Sequence, residues 1–165
     1  MREPVRLTVA LVDEPATRRA GALLAGALAA VAPDALFVTL GGELGTGKTT
    51  LARGLLAALG VHGAVRSPSY TLVESYPLGQ RVVHHLDWYR LAGAEELDGL
   101  GWRDLCGPGQ WLFVEWPERV AAVAAGADLA VALAYEGNGR RLDAVARTPA
   151  GTRVLVRWKA DAALE

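Results

Sequence analysis

Gly42-Glu43-Leu44-Gly45-Thr46-Gly47-Lys48-Thr49 places glycines, a lysine and a hydroxyl at the spacing G-x-x-x-x-G-K-[ST], the chemistry of a phosphate cradle. Glycines let successive backbone N–H groups converge on phosphate oxygens, and the helix that follows adds partial positive charge from its N-terminus. In such a loop Lys48 bridges the β- and γ-phosphates and the Thr49 hydroxyl ligates Mg²⁺. Lys48 also stands out by composition: of the seventeen basic residues only Lys48 and Lys159 are lysine. Thr50 extends the loop into the helix.

Two carboxylates that end apolar runs compete to act beside the loop. Asp87 follows Val82-Val83-His84-His85-Leu86, and Glu115 follows Trp111-Leu112-Phe113-Val114. Strand ends in an open parallel sheet point into the ligand crevice, where a carboxylate holds Mg²⁺, directly or through water, or orients the attacking water. Either one could instead cap a helix or pair with an arginine such as Arg90. Ser67, Ser69 and Thr71 fall in a segment after the loop's helix, where phosphate-binding proteins place a switch that senses the γ-phosphate. A polar surface turn built around Pro68 is the plainer alternative. His84 and His85 lack a third ligand at sensible spacing and are expected as hydrogen-bonded strand residues. The tryptophans at 88, 102, 111, 116 and 158 are core or interface residues by default.

The elements that must position these groups follow from periodicity. Residues 6–12 alternate as a strand that ends at Asp13-Glu14-Pro15, and Thr17 is the expected cap of a helix over 17–32. The run 35–40 reads as a buried parallel strand, and 49–59, with Leu51, Leu55 and Leu59 on one stripe and Gly60 after it, as a helix. The pattern predicts strands at 71–76 and 81–86 joined across 77–80. Short helical turns are expected over 92–106, a strand over 111–114 and a helix over 117–125. Residues 128–135 and 141–146, around a turn-rich 136–140, predict an antiparallel hairpin at the sheet edge. The tail 149–158 is compatible with helix or strand. The order of elements gives an α/β class: a three-layer fold of the P-loop type around a mixed, mainly parallel sheet.

Length and composition narrow the function. A chain of 165 residues is expected to form a single domain over 1–165. A net charge of −1 gives no global basic field to hold nucleic acid. Cys106 alone cannot form an internal disulfide or a multi-thiolate metal site. No early run resembles a secretory signal or reaches the ~20 residues that span a bilayer, so the expectation is a cytoplasmic protein. Asn138 is the only asparagine and no Lys-x-Asp follows it, so the guanine-reading signature is missing and ATP is the expected nucleotide. The absence of Asp-x-Asp weakens a small-molecule kinase.

Taken together, these motifs resemble the TsaE family, small bacterial ATPases of tRNA threonylcarbamoyladenosine modification. Gly42 to Thr50 looks like the family's G-D-L-G-A-G-K-T-T, 67–73 is similar to S-P-T-F-T-L-V, His85 to Leu91 to H-F-D-L-Y-R-L, and Val114 to Glu118 to I-E-W-P-E. Thr17 with Gly21 looks like the T-x-x-x-G of the family's first helix. Departures are mild: Glu43 stands for Asp, Thr46 for Ala, Ser69 for Thr and Trp88 for Leu. The resemblance implies ATP and Mg²⁺ as ligands, Lys48 as the phosphate lysine, Thr49 and Glu115 as the Mg²⁺ ligands, and Asp87 as a residue required for hydrolysis. It associates Trp116 with function and adds Thr17 to the ATP-binding set. It further implies that the group is transferred to adenosine 37 of tRNA by others, the ATPase acting on a heterodimer of TsaB and TsaD and meeting tRNA only through that complex. Arg90 is the candidate cation in cis. A small-molecule kinase and a non-hydrolysing protein that uses ATP to dock on partners are the rival functions.

Overall fold

The computed structural model describes residues 2–63, 68 and 71–165, so the expected switch residues Ser67 and Ser69 lie outside the described residues. In chain order the elements are β1 (Arg6–Leu11), α1 (Glu14–Val31), β2 (Leu36–Gly41), α2 (Lys48–Ala58), β3 (Val73–Leu78), β4 (Arg81–Asp87), α3 (Ala94–Gly99), a 3₁₀ turn (Trp102–Leu105) and β5 (Gln110–Glu115). A second 3₁₀ turn (Pro117–Val120), α4 (Ala121–Ala124), β6 (Leu129–Glu136), β7 (Gly139–Ala146) and α5 (Pro149–Ala162) complete it.

The strands form one sheet in the order β1-β7-β6-β2-β5-β4-β3. Its middle, β6-β2-β5-β4, is parallel; β7 on one flank and β3 on the other run against it, and β1, antiparallel to β7, runs in the direction of the middle strands. This is the expected mixed α/β architecture. Side chains alternate between two cores, as strand geometry requires. Along β5, Trp111 and Phe113 enter a large cluster with Leu24 and Leu28 of α1, Leu51 and Leu55 of α2, and Val154 and Trp158 of α5. Leu112 and Val114 turn to a smaller one with Leu86, Trp88, Leu97 and Val120. The second helical layer is thin, made of α3, α4 and the 3₁₀ turns. Among the described residues no helix is long and apolar enough to cross a membrane.

Two expectations are corrected. The first helix starts at Glu14, because Asp13 caps it: a carboxylate oxygen accepts from Ala16 N at 2.8 Å, and Pro15 occupies the first turn, where its missing N–H costs nothing. Thr17 is therefore inside the helix and not its cap. The β6–β7 hairpin is present but is not the sheet edge, since β1 pairs with β7, Leu7 opposite Ala144 and Leu11 opposite Arg140. Its connection is also tighter than expected, two residues, Gly137 in the left-handed region (φ 57°) and Asn138. The tail resolves as a helix.

α1 and α2 touch backbone to backbone. A Cβ on Gly21 would lie 2.2 Å from Leu51 O, and one on Gly54 would lie 2.2 Å from Arg18 O. Gly26, on the exposed side of the same α1, has nothing within 4 Å. The same substitution should thus have opposite signs along one helix. Gly26→Ala is expected to stabilise by about 0.5–1 kcal/mol through helix propensity. Gly21→Ala is expected to destabilise by about 1–3 kcal/mol, because backbone must move apart. Urea unfolding midpoints of the two variants check this.

Candidate functional site

The loop 42–47 joins the end of β2 to the start of α2, so strand, glycine-rich loop and helix occur in the order that phosphate binding needs. Gly42, Gly45 and Gly47 all have positive φ (136°, 80° and 105°). Gly42 is held tightest: a Cβ there would sit 2.4 Å from Leu133 O on β6. The loop's own hydroxyl closes it, Thr46 Oγ1 donating to Glu43 O at 2.8 Å.

Lys48 opens α2 and is 5% exposed. Its Nζ donates to Gly42 O and to Glu43 O, the latter at 3.0 Å, and lies 3.7 Å above the centroid of the Trp116 ring. Burial lowers the ammonium's pKa from its ordinary value, and the carboxylates of Glu115, Glu118 and Asp87 oppose that shift. Trp116 reaches the lysine because its backbone is left-handed (φ 61°), unusual for a bulky residue and of the kind that clusters at functional sites. Its ring packs on Tyr89 with centroids 4.9 Å apart.

The parallel register sets Asp87 beside Glu115, and Glu115 beside Leu40 of β2. Both carboxylates are buried, and both reach the head of the sheet at one level. Thr49 Oγ1 lies 3.0 Å from Glu115 Oε1 and 3.3 Å from Oε2. The carboxylate only accepts, so the hydroxyl spends its proton on Glu115 and turns its lone pairs outward. Asp87 Oδ1 accepts from Tyr89 N at 2.9 Å, and Trp88 N donates to Glu115 O at 3.0 Å, tying the two strand ends together.

These groups line a cleft of about 510 Å³ that includes Leu44, Gly45, Gly47, Thr50, Asp87, Arg90, Glu115 and Trp116 along with Lys48 and Thr49. A smaller hollow of about 220 Å³ adjoins the loop between Asp13, Glu14, Thr17, Thr50 and the tip of the β6–β7 hairpin. Thr17 thus meets the loop, its methyl against Gly47. Another hollow, about 720 Å³, contains none of the loop residues and lies between α4 and strands β1, β6 and β7. Thr71, just before β3, is exposed and donates to Glu74 Oε1 at 2.9 Å.

Three participants were not assigned a role from the sequence. Tyr135 OH donates to Leu44 O at 2.7 Å, and Arg140 Nη2 donates to Gly45 O at 3.3 Å while its guanidinium stacks 4.3 Å over the Tyr135 ring. His85 Nε2 stands 2.6 Å from Glu115 Oε2. Strand alternation carried a signal for His85, which lies two residues before Asp87 on the same face. His84 points the other way and bonds Ser75 Oγ at 2.7 Å and Gln110 Oε1 at 2.5 Å, so both histidines are hydrogen-bonded strand residues.

A family model described as threonylcarbamoyl adenosine biosynthesis protein TsaE matches residues 11–142. The chain belongs to the TsaE family. The tRNA threonylcarbamoyladenosine biosynthesis protein TsaE of Haemophilus influenzae is 40% identical over 121 residues, covering 73% of this chain and 77% of that one. The protein of the same name from Synechocystis is 39% identical over 114 residues, 67% of this chain and 69% of its own. The crystal structure of Bacillus subtilis YdiB superposes with a TM-score of 0.72 over 98% of this chain and 99% of that one, at 22% identity, and so shares the fold. By the names its members carry, the TsaE family serves tRNA threonylcarbamoyladenosine biosynthesis.

Proposed function

We propose that this TsaE-family chain, acting as a single domain, is a Mg²⁺-dependent ATPase required for N6-threonylcarbamoyladenosine at position 37 of tRNAs. It works on a TsaB–TsaD heterodimer and does not transfer the group itself. The observation that carries the proposal is the Thr49–Glu115 pair, 3.0 Å apart, at the foot of a glycine-rich loop with a buried lysine.

The donor set fits Mg²⁺. A hydroxyl and a carboxylate are hard oxygen ligands, and they are the share of the shell that a protein supplies when substrate phosphates and water complete it. Bound there with ATP, the ion would offset charge on the β- and γ-phosphates. The chain's own residues do the rest. The amides from Gly42 to Thr50 bind the phosphates, Lys48 neutralises them, and Thr17 with Asp13 walls the nucleotide's far side. Asp87, buried beside Glu115 at the strand ends, is the residue required for hydrolysis. Arg90, lining the same cleft, is the cation in cis. A partner that sets Arg90, or an arginine of its own, on the γ-phosphate would add about 10³–10⁵ in rate, so turnover by the chain alone is expected to be slow.

Phosphate release by the purified chain, with and without TsaB–TsaD, tests this. Slow Mg²⁺-dependent release, raised by the pair, is expected. Phosphate moved to an acceptor would make the chain a kinase, and ATP-dependent docking with no release under any condition would make it a docking protein.

Tyr135 and Arg140 hold the loop from outside, and a lost hydrogen bond of about 0.5–1.5 kcal/mol corresponds to roughly two- to tenfold in affinity. Tyr135→Phe is therefore expected to weaken nucleotide binding by that factor without changing the fold, as calorimetry would record.

A further inference from the structure

His85 is fully buried on β4, where the neighbouring register position on β5 is Phe113. Its Nδ1 has no hydrogen-bond partner among the described residues. An orphaned ring nitrogen in a core is a cost that leucine or phenylalanine would avoid on a strand. What the imidazole provides is one short contact, Nε2 to Glu115 Oε2 at 2.6 Å. The carboxylate has only lone pairs to offer, so Nε2 carries the proton of this contact.

Glu115 has competing attractions. The Lys48 ammonium is close enough for Glu115 to act on its pKa, and Thr49 donates to the carboxylate from α2. Turned toward Lys48, the carboxylate would neutralise the charge meant for phosphate and leave Thr49 alone. The imidazole holds Oε2 toward β4.

We infer that His85 is a positioning residue, whose Nε2–H holds Glu115 in the orientation that presents Glu115 and Thr49 together to a divalent cation. The inference rests on the Mg²⁺-nucleotide function proposed above, and deepens it. Partners that orient a metal ligand typically change metal affinity by about 10–100-fold when removed.

The test is calorimetric titration of ADP into the purified chain, first with EDTA and then across a Mg²⁺ series, for wild type, His85→Leu, His85→Gln and His85→Asn. Glutamine extends an amide N–H to about the place of Nε2, whereas asparagine reaches only that of Nδ1. His85→Leu and His85→Asn are expected to raise the Mg²⁺ concentration for half-maximal enhancement at least tenfold, with metal-free ADP affinity unchanged within about threefold. His85→Gln is expected to stay within about threefold of wild type. Should His85→Leu not fold, the Gln and Asn pair decides. Equal Mg²⁺ requirements in Gln, Asn and wild type overturn the positioning role, as does a loss of metal-free ADP binding that matches the loss with Mg²⁺. A wild-type chain whose ADP binding ignores Mg²⁺ overturns the proposed function and this role with it.

Discussion

Lys48→Ala is expected to lower ATP turnover by about 10²–10³-fold or more and to abolish saturable ATP binding at micromolar nucleotide. The size follows from where the charge sits. Lys48 is buried, and its ammonium is held at the loop by Gly42 O, Glu43 O and the Trp116 face. Prearranged donors in water-poor sites are each worth about 10²–10³ in rate. Alanine also uncovers Trp116, whose left-handed backbone has the Lys48 contact among its supports. Steady-state phosphate release and nucleotide titration of the variant, at matched circular dichroism, provide the check. Lys48→Arg should recover little, because the planar guanidinium cannot bond both carbonyls from the same place under the ring.

Glu115→Gln is the complementary case. Here binding of nucleotide without metal should survive, while Mg²⁺-dependent turnover falls by about 10²–10³-fold. The amide keeps an oxygen that can accept from Thr49 or His85 but removes the negative charge that a divalent cation needs. A second consequence has a definite sign. Burial lowers the Lys48 pKa and Glu115 is the foremost group raising it. Without that carboxylate the pKa falls further, and a lysine loses its charge as pH rises through its pKa. The alkaline pH at which metal-free nucleotide affinity declines should therefore move down in the variant. Calorimetry across a pH series reads that shift directly, and an upward movement would contradict the electrostatics described here.

How much of this was legible before the structure depends on range. The loop, its flanking strand and helix, and the carboxylates at 87 and 115 are local patterns, each written in a dozen residues. Their meeting follows once β4 and β5 run parallel and end together. The position of β7 was not legible, because an antiparallel strand can pair on either side and β1, far off in sequence, takes the open one. Tyr135 and Arg140 went unassigned for that reason: only an inserted hairpin brings its tip to the loop. In the tail, Thr152, Val154 and Val156 favour a strand by type. The spacing of Gly151, Val154, Leu155 and Trp158 on one buried face decides for a helix. At α1, the terminator of β1 and the cap of the helix are the same few residues, and Asp13 wins over Thr17 because Pro15 fits the first turn.

The most direct test of the central claim is calorimetric titration of a non-hydrolysable ATP analogue into the purified chain with Mg²⁺. Saturable uptake of one nucleotide per chain, lost in Lys48→Ala and weakened when Mg²⁺ is withdrawn, is the predicted result. No uptake at millimolar analogue, by the chain alone or with TsaB–TsaD present, would contradict it.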